Sequence, residues 1–205
     1  NQPILAKEIY EKLMFLGNVG FEVCYEFAHV CILLNDTDKA EKILKKVIEL
    51  KPDHAQAHMD LGVIYLSKRL LDYARDEFEQ ALGIEPENVS IISEYANFLH
   101  AVSEFDKADE YYKKALSLDD KAYVTYAFSA LNKMFMKDYD TALEQINIAV
   151  SHLPHNAFFL YVAGKIRFLR GEYEDAKTYL VKSYEMDENI ETKNMISDKR
   201  FDIMN

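Results

Sequence analysis

The stretch Leu61-Gly62-Val63-Ile64-Tyr65, continued by Ala74, Phe78, Ala81 and Pro86, decides the fold, because its landmarks recur along the chain. Ala40, Ala74, Ala108, Ala142 and Ala176 each stand 34 residues from the next. A large side chain follows each by four residues: Leu44, Phe78, Tyr112, Ile146 and Leu180. Three further on are Val47, Ala81, Ala115, Ala149 and Ser183. Twelve residues before each alanine is another small residue: Ala28, Gly62, Ala96, Ala130 or Gly164. Pro52, Pro86 and Pro154 share one position, held by Asp120 and Glu188 in the other two periods. A fixed period of this length marks a repeat architecture, and no insertion breaks it from Phe21 to Ile190.

Each period reads as two amphipathic helices, with apolar residues stepping by three and four. In the second period the spacing predicts helices over Gln56 to Lys68 and Asp72 to Gly83. The recurring small residues belong where the helices of a pair cross at close range, since a bulky side chain there would push the axes apart. Proline shortly after the second helix stops it, because the residue before proline avoids the helical region. Short turns such as Gly171-Glu172-Tyr173 join the helices of a pair.

This pattern resembles the tetratricopeptide repeat family. The second period carries the family's Leu-Gly-x-x-Tyr as Leu61-Gly62-Val63-Ile64-Tyr65, with Ala74, Phe78, Ala81 and Pro86 at the expected spacings. His58 departs from the family's Trp, as do Cys24, Ile92, Tyr126 and Leu160 in the other periods. The resemblance implies an all-α fold: a right-handed α-solenoid of stacked antiparallel helix pairs, whose first helices line a concave face. The repeats fall at 21–54, 55–88, 89–122, 123–156 and 157–190. Ala6, Tyr10 and Leu13 lie one period before Ala40, Leu44 and Val47, so 1–20 reads as the second helix of a truncated preceding repeat. At 191–205 a capping helix, or the start of a further region, is expected. Asp198 falls there at the small position and Ser197 where Phe27, Leu61 and Tyr95 stand, and a charge is costly to bury.

Composition agrees with helix pairs. Only 6 Gly and 4 Pro occur in 205 residues, too few to punctuate a β-sandwich or barrel. With 24 Lys and Arg against 35 Asp and Glu the net charge is −11, which argues against a nucleic-acid partner needing a basic face. No apolar run approaches the roughly 20 residues of a membrane span. The chain starts Asn1-Gln2-Pro3-Ile4-Leu5, without an initiating Met or a signal peptide, and reads as a fragment or a processed chain. Cys24 and Cys31 are seven apart, about 10 Å along one helix and too far for a disulfide. Free thiols fit a reducing compartment, so a cytoplasmic location is expected.

No catalytic, metal or cofactor chemistry is expected. His54 and His58 are four apart but lack a third ligand at a metal spacing, and His58 reads as a packing substitute for Trp. His152 and His155 flank Pro154 in a turn and read as surface. Asp76-Glu77 and Asp109-Glu110 have lysines nearby on second helices and read as solvated faces. No nucleophile elbow, zinc-protease or phosphate-loop motif occurs.

The family resemblance implies that a protein or peptide partner lies on the concave face, at the second, fifth, ninth and twelfth positions of each first helix. The first repeat then offers Tyr25 and His29, and the second Met59, Val63 and Leu66. The third offers Asn97 and His100, the fourth Val124, Ala127 and Leu131, and the fifth Phe158, Tyr161, Lys165 and Phe168. Lys165 is the one cation in this set, so the family's two-carboxylate clamp for chaperone C-termini is disfavoured. By repeat the net charges are −2, −4, −3, −1 and −1. At the sixth position Glu26, Asp60 and Glu94 give way to Phe128 and Val162, which points to an apolar groove in the fourth and fifth repeats. That surface is read either as open or as covered by the chain's own Ile196, Phe201 and Ile203. Two functions follow: an adaptor holding a partner peptide or helix in this groove, with the apolar residues as anchors, or a structural segment of a larger scaffold with end-to-end self-association.

Overall fold

The computed structural model describes residues 2–17, 19–198 and 201; Ile203 lies outside them. Among the described residues there are twelve α-helices and no strand. They are α1 (Gln2–Leu16), α2 (Phe21–Leu33), α3 (Thr37–Leu50), α4 (Ala55–Ser67), α5 (Leu71–Ile84) and α6 (Val89–Ala101). Then come α7 (Phe105–Leu118), α8 (Tyr123–Phe135), α9 (Tyr139–His152), α10 (Ala157–Leu169), α11 (Tyr173–Met186) and α12 (Ile190–Ile196). The chain forms two compact units, Asn1–Phe98 and Leu99–Asn205, divided within α6.

Within each unit the packing is pairwise, α2 on α3 and α4 on α5 in the first, α8 on α9 and α10 on α11 in the second. The periodic alanines Ala40, Ala74, Ala108, Ala142 and Ala176 are all buried, as are Leu44, Phe78, Tyr112, Ile146 and Leu180 beside them. Burying one such large side chain contributes about 1.5–3 kcal/mol. The close crossing expected of the small residues is measurable at two of them. A Cβ on Gly62 would lie 3.1 Å from the Phe78 ring, and one on Gly164 2.7 Å from Leu180 Cγ. Ser183 departs from the small apolar residues at its position, and its hydroxyl is satisfied by donating to the Ala157 carbonyl at 2.7 Å.

The turns inside the pairs keep the period too. Asn35, Arg69, Ser103, Lys137 and Gly171 all have positive φ, between 57° and 82°, and lie 34 residues apart. Each ends a helix with the same two backbone bonds, as in Arg69 N to Leu66 O at 3.0 Å and Leu70 N to Tyr65 O at 2.9 Å. This is the Schellman arrangement, which satisfies helix-end carbonyls through one left-handed residue. Glycine fills that residue in only one turn, which explains how so few glycines suffice.

The helix ends correct the role given to proline. Helices α3, α5 and α9 stop before Pro52, Pro86 and Pro154. Helices α7 and α11 stop at the equivalent place before Asp120 and Glu188, with Asp119 and Asp187 already extended. The following helix must start there to pack, so proline reinforces the stop and does not create it.

Candidate functional site

In the second unit, Val124, Phe128 and Leu131 step by four and three along one face of α8, and Phe158 and Tyr161 stand on α10. Val124 is 51% exposed and Phe158 38%. The Phe128 and Phe158 rings meet at 5.4 Å, joining the two helices at their surface. Leu131 and Tyr161 are partly buried against the core beneath. Ala127 and Val162 are fully buried in that core, behind the surface. This corrects their expected place on it: the sixth-position Val162 turns inward while Phe128 stays half-exposed.

Helix α12 and Phe201 answer whether the chain covers this surface. Phe201 is buried and packs on Phe168 at 5.2 Å and on Tyr173 at 6.2 Å, with Met195 and Ile196 beside them. Phe168 is therefore an internal contact and not an open groove residue, because its partner comes from the chain's own C-terminal segment. Further toward the α10 N-terminus, Glu191 of α12 accepts hydrogen bonds from the Tyr161 hydroxyl and from Lys165 Nζ, the latter at 3.2 Å. Lys165 also donates to the Tyr161 oxygen at 2.9 Å. Burial pushes the Tyr161 phenol up, and the bond to Glu191 adds to it. Burial alone would lower Lys165, but its contacts with Tyr161 and Glu191 outweigh that and raise it. The self-cover thus reaches Phe168, Lys165 and Tyr161, and leaves Phe158, Phe128 and Val124 open.

The first unit offers a different surface. Tyr25 Oη donates to Asp60 Oδ2 at 3.0 Å, and His29 Nε2 lies 3.3 Å from the same oxygen. The Tyr25 ring also meets the rings of His29 at 4.6 Å and His54 at 4.4 Å. Burial pushes the Asp60 carboxyl above its ordinary range, against the pull of His29 and Tyr25. Glu94 is raised by burial as well; the Asn97 amide, donating at 3.3 Å, opposes this, and the Asp60 charge adds to it. Tyr25 and Asn97 are accordingly half-buried and engaged by other side chains of the fold, and His29 is engaged as well but stays exposed. Val63 is exposed, while Met59 and Leu66 are half-buried. In the second unit His100 Nδ1 pairs with Asn132 Oδ1 at 2.9 Å, and its ring packs on Phe105 and Phe135.

His54 Nδ1 accepts from Ala57 N at 3.2 Å and so caps α4. His58 is buried, with Nδ1 2.6 Å from Glu77 Oε2 and Nε2 2.9 Å from the Pro52 carbonyl. Both ring nitrogens face acceptors, so the geometry favours the imidazolium, and the Glu77 bond raises its pKa. His152 stacks on Tyr123 at 3.9 Å, at the end of α9. Among the described residues no group of three or more His, Cys, Asp or Glu could hold a metal ion, and no helix is long and apolar enough to cross a membrane. Asp109 corrects the reading of a solvated face: it is buried and binds Lys133, also buried, at 2.9 Å, with Lys113 at 2.8 Å. Lys133 carried the signal, as the single charge between Ala122 and Met136.

Comparison with known proteins accords with this architecture. Models of the tetratricopeptide repeat match residues 34–89 and 93–121. The chain is 26% identical over 147 residues to anaphase-promoting complex subunit 3 of Schizosaccharomyces pombe, across 71% of this chain and 22% of that protein. It is 35% identical over 103 residues to the TPR repeat-containing protein MJ1428 of Methanocaldococcus jannaschii, across 50% of this chain and 18% of that protein. The chain thus spans less than a quarter of either relative. Among solved structures, a chain of the APC/C hetero-tetramer Cut9-Hcn1 matches with TM-score 0.88 at 16% identity, covering 96% of this chain and 39% of that one. At that identity the likeness carries the fold alone.

Proposed function

The chain is a tetratricopeptide repeat protein, a family that mediates protein–protein interaction, and from that premise we propose that it is a non-enzymatic module that holds a segment of a partner protein on the surface of its first helices. Five repeats, 21–54, 55–88, 89–122, 123–156 and 157–190, form the body of this reading. Val124, Phe128, Leu131 and Phe158 are the anchors, with Tyr161 at the edge of the C-terminal cover. The observation that carries it is the bridged Phe128–Phe158 pair beside the 51%-exposed Val124, apolar surface left open where α12 stops covering it. Large apolar side chains left partly in water favour a partner that removes them from it. The buried free thiols of Cys24 and Cys31 fit a reducing compartment such as the cytoplasm. Capture of partners from cells of origin by wild-type protein and by Phe128→Ser/Phe158→Ser tests the reading. Loss of the partner with unchanged helicity supports it, and equal capture by both refutes it.

A second reading is favoured by α1. Its Ile4, Leu5, Ile9 and Leu13 are exposed, and Phe15 is 92% exposed. That is an apolar face fit for another copy or another part of a scaffold. Light scattering across concentration separates the two: a strict monomer removes self-assembly through this face.

A further inference from the structure

The apolar surface of the second unit ends in a cleft of about 170 Å³ between α10, α11 and α12. Ser183 and Thr192, both buried, lie at its base, with Phe158 and Tyr161 along the α10 side. Exposed Asp187 and Glu191 stand at its edge. The chemistry of this lining is one-sided. Asp187 caps the end of the 14-residue α11, where unpaired carbonyls leave partial negative charge, and its carboxylate has no ion pair or hydrogen bond among the described residues. The N-terminus of α12 is already capped, Asn189 Oδ1 accepting from Glu191 N at 2.8 Å, so it does not call for an anion. The protein's own Lys165 shows what the lining receives: its ammonium lies 5.1 Å over the Tyr161 ring and 3.2 Å from Glu191.

Resting on the binding reading above, we propose that this cleft takes an arginine or lysine side chain of the partner, placed next to the large apolar residue that meets Phe128 and Phe158. The alkyl stem lies along Phe158 and Tyr161, and the cationic head meets the Asp187 carboxylate and the end of α11. Lys165 already answers Glu191, so Asp187 is the carboxylate left for the partner. An acidic side chain would be repelled there. A purely apolar one would strip water from Asp187 without replacing it.

Selection from a random displayed-peptide library on the full chain tests this, using wild type, Phe158→Ser and Asp187→Asn. The strongest peptide is then measured by fluorescence anisotropy beside its Arg→Gln or Lys→Gln version. Wild type is expected to enrich peptides with a basic residue next to a large apolar one. Asp187→Asn should keep the apolar preference and lose the basic one. Either the glutamine peptide or Asp187→Asn should weaken binding roughly tenfold, the size of one charged hydrogen bond. Enriched apolar peptides without a basic residue, or undiminished binding by Asp187→Asn, overturn this inference and leave the binding reading standing. No enrichment on wild type, or the same peptides on Phe158→Ser, overturns both.

Discussion

Removing the Asp109 carboxylate should destabilise the second unit more than any surface charge substitution. Asp109 and Lys133 are 6% and 8% exposed and 2.9 Å apart. Deleting one partner of a buried pair costs about 3–5 kcal/mol, because the other charge is left in a poor solvent. Lys133 retains Asp138 at 3.8 Å, a carboxylate 43% exposed, which offsets part of that loss. Asp109→Ala should therefore cost about 2–3 kcal/mol. Lys133→Met should cost less, since Asp109 keeps Lys113 at 2.8 Å. The Asp109→Leu/Lys133→Met pair should recover most of the loss, because Asp109 Oδ1 is buried without a hydrogen bond even in the intact protein. The pair also has a pH signature. Burial pushes the Asp109 carboxyl up, but the ammonium groups of Lys113 and Lys133 outweigh it and hold it below the usual range. Its contribution is thus present above the unfolded value of about 3.9 and is lost as pH falls through the lower folded one. Urea unfolding followed by far-ultraviolet circular dichroism reads wild type, Asp109→Leu, Lys133→Met and the pair in a double-mutant cycle, with Asp109→Ala measured beside them. A cost for Asp109→Ala under about 1 kcal/mol, the range of exposed pairs, would refute the reasoning. So would a double variant no more stable than Asp109→Ala.

His58 has a raised pKa, so its contribution is complete below the unfolded value of about 6.5 and fades as pH rises through the folded one. Unfolding free energies across that window should fall by about 1.5–3 kcal/mol more in wild type than in His58→Gln, and parallel profiles would contradict the buried imidazolium. Gly164→Ala places a Cβ 2.7 Å from Leu180 Cγ and 3.1 Å from the Ala176 carbonyl. Overpacking of about 1–3 kcal/mol should exceed the helix gain of about 1 kcal/mol. Gly62→Ala, meeting only the Phe78 ring at 3.1 Å, should be milder, and the reverse order of midpoints would count against the close-crossing account. Lys137→Gly relieves a left-handed residue at φ 63° and should raise the unfolding free energy by up to about 1 kcal/mol; a clear loss would mean that its side chain stabilises the turn.

The periodicity made much of this legible. Alanines repeating every 34 residues, with a large residue one turn on, describe buried crossings that depend on local geometry, and those positions are buried. The left-handed turn residues were not legible, because Asn35, Arg69, Ser103 and Lys137 occupy a conformation usually signalled by glycine. Their common position becomes visible only when the backbone is known. On the binding surface, Phe168 could not be separated from Phe158 by spacing, since both fall at groove positions of one helix. What distinguishes them is Phe201, whose return onto Phe168 is a contact 33 residues distant in sequence. Asp109 was hidden for a related reason. Its neighbour Lys113 on the same helix is exposed and suggested solvent, while its buried partner Lys133 lies on the next helix.

The central claim is that the partner lies against the open apolar face of α8 and α10. Its most direct measurement is photo-crosslinking with benzoylphenylalanine introduced in place of Val124 on α8, or of the partly exposed Ile148 on α9 as the comparison site. The account predicts that a partner joins covalently to the chain carrying the probe at 124 and not to the one carrying it at 148. The same partner crosslinked from 148 and not from 124 would contradict it.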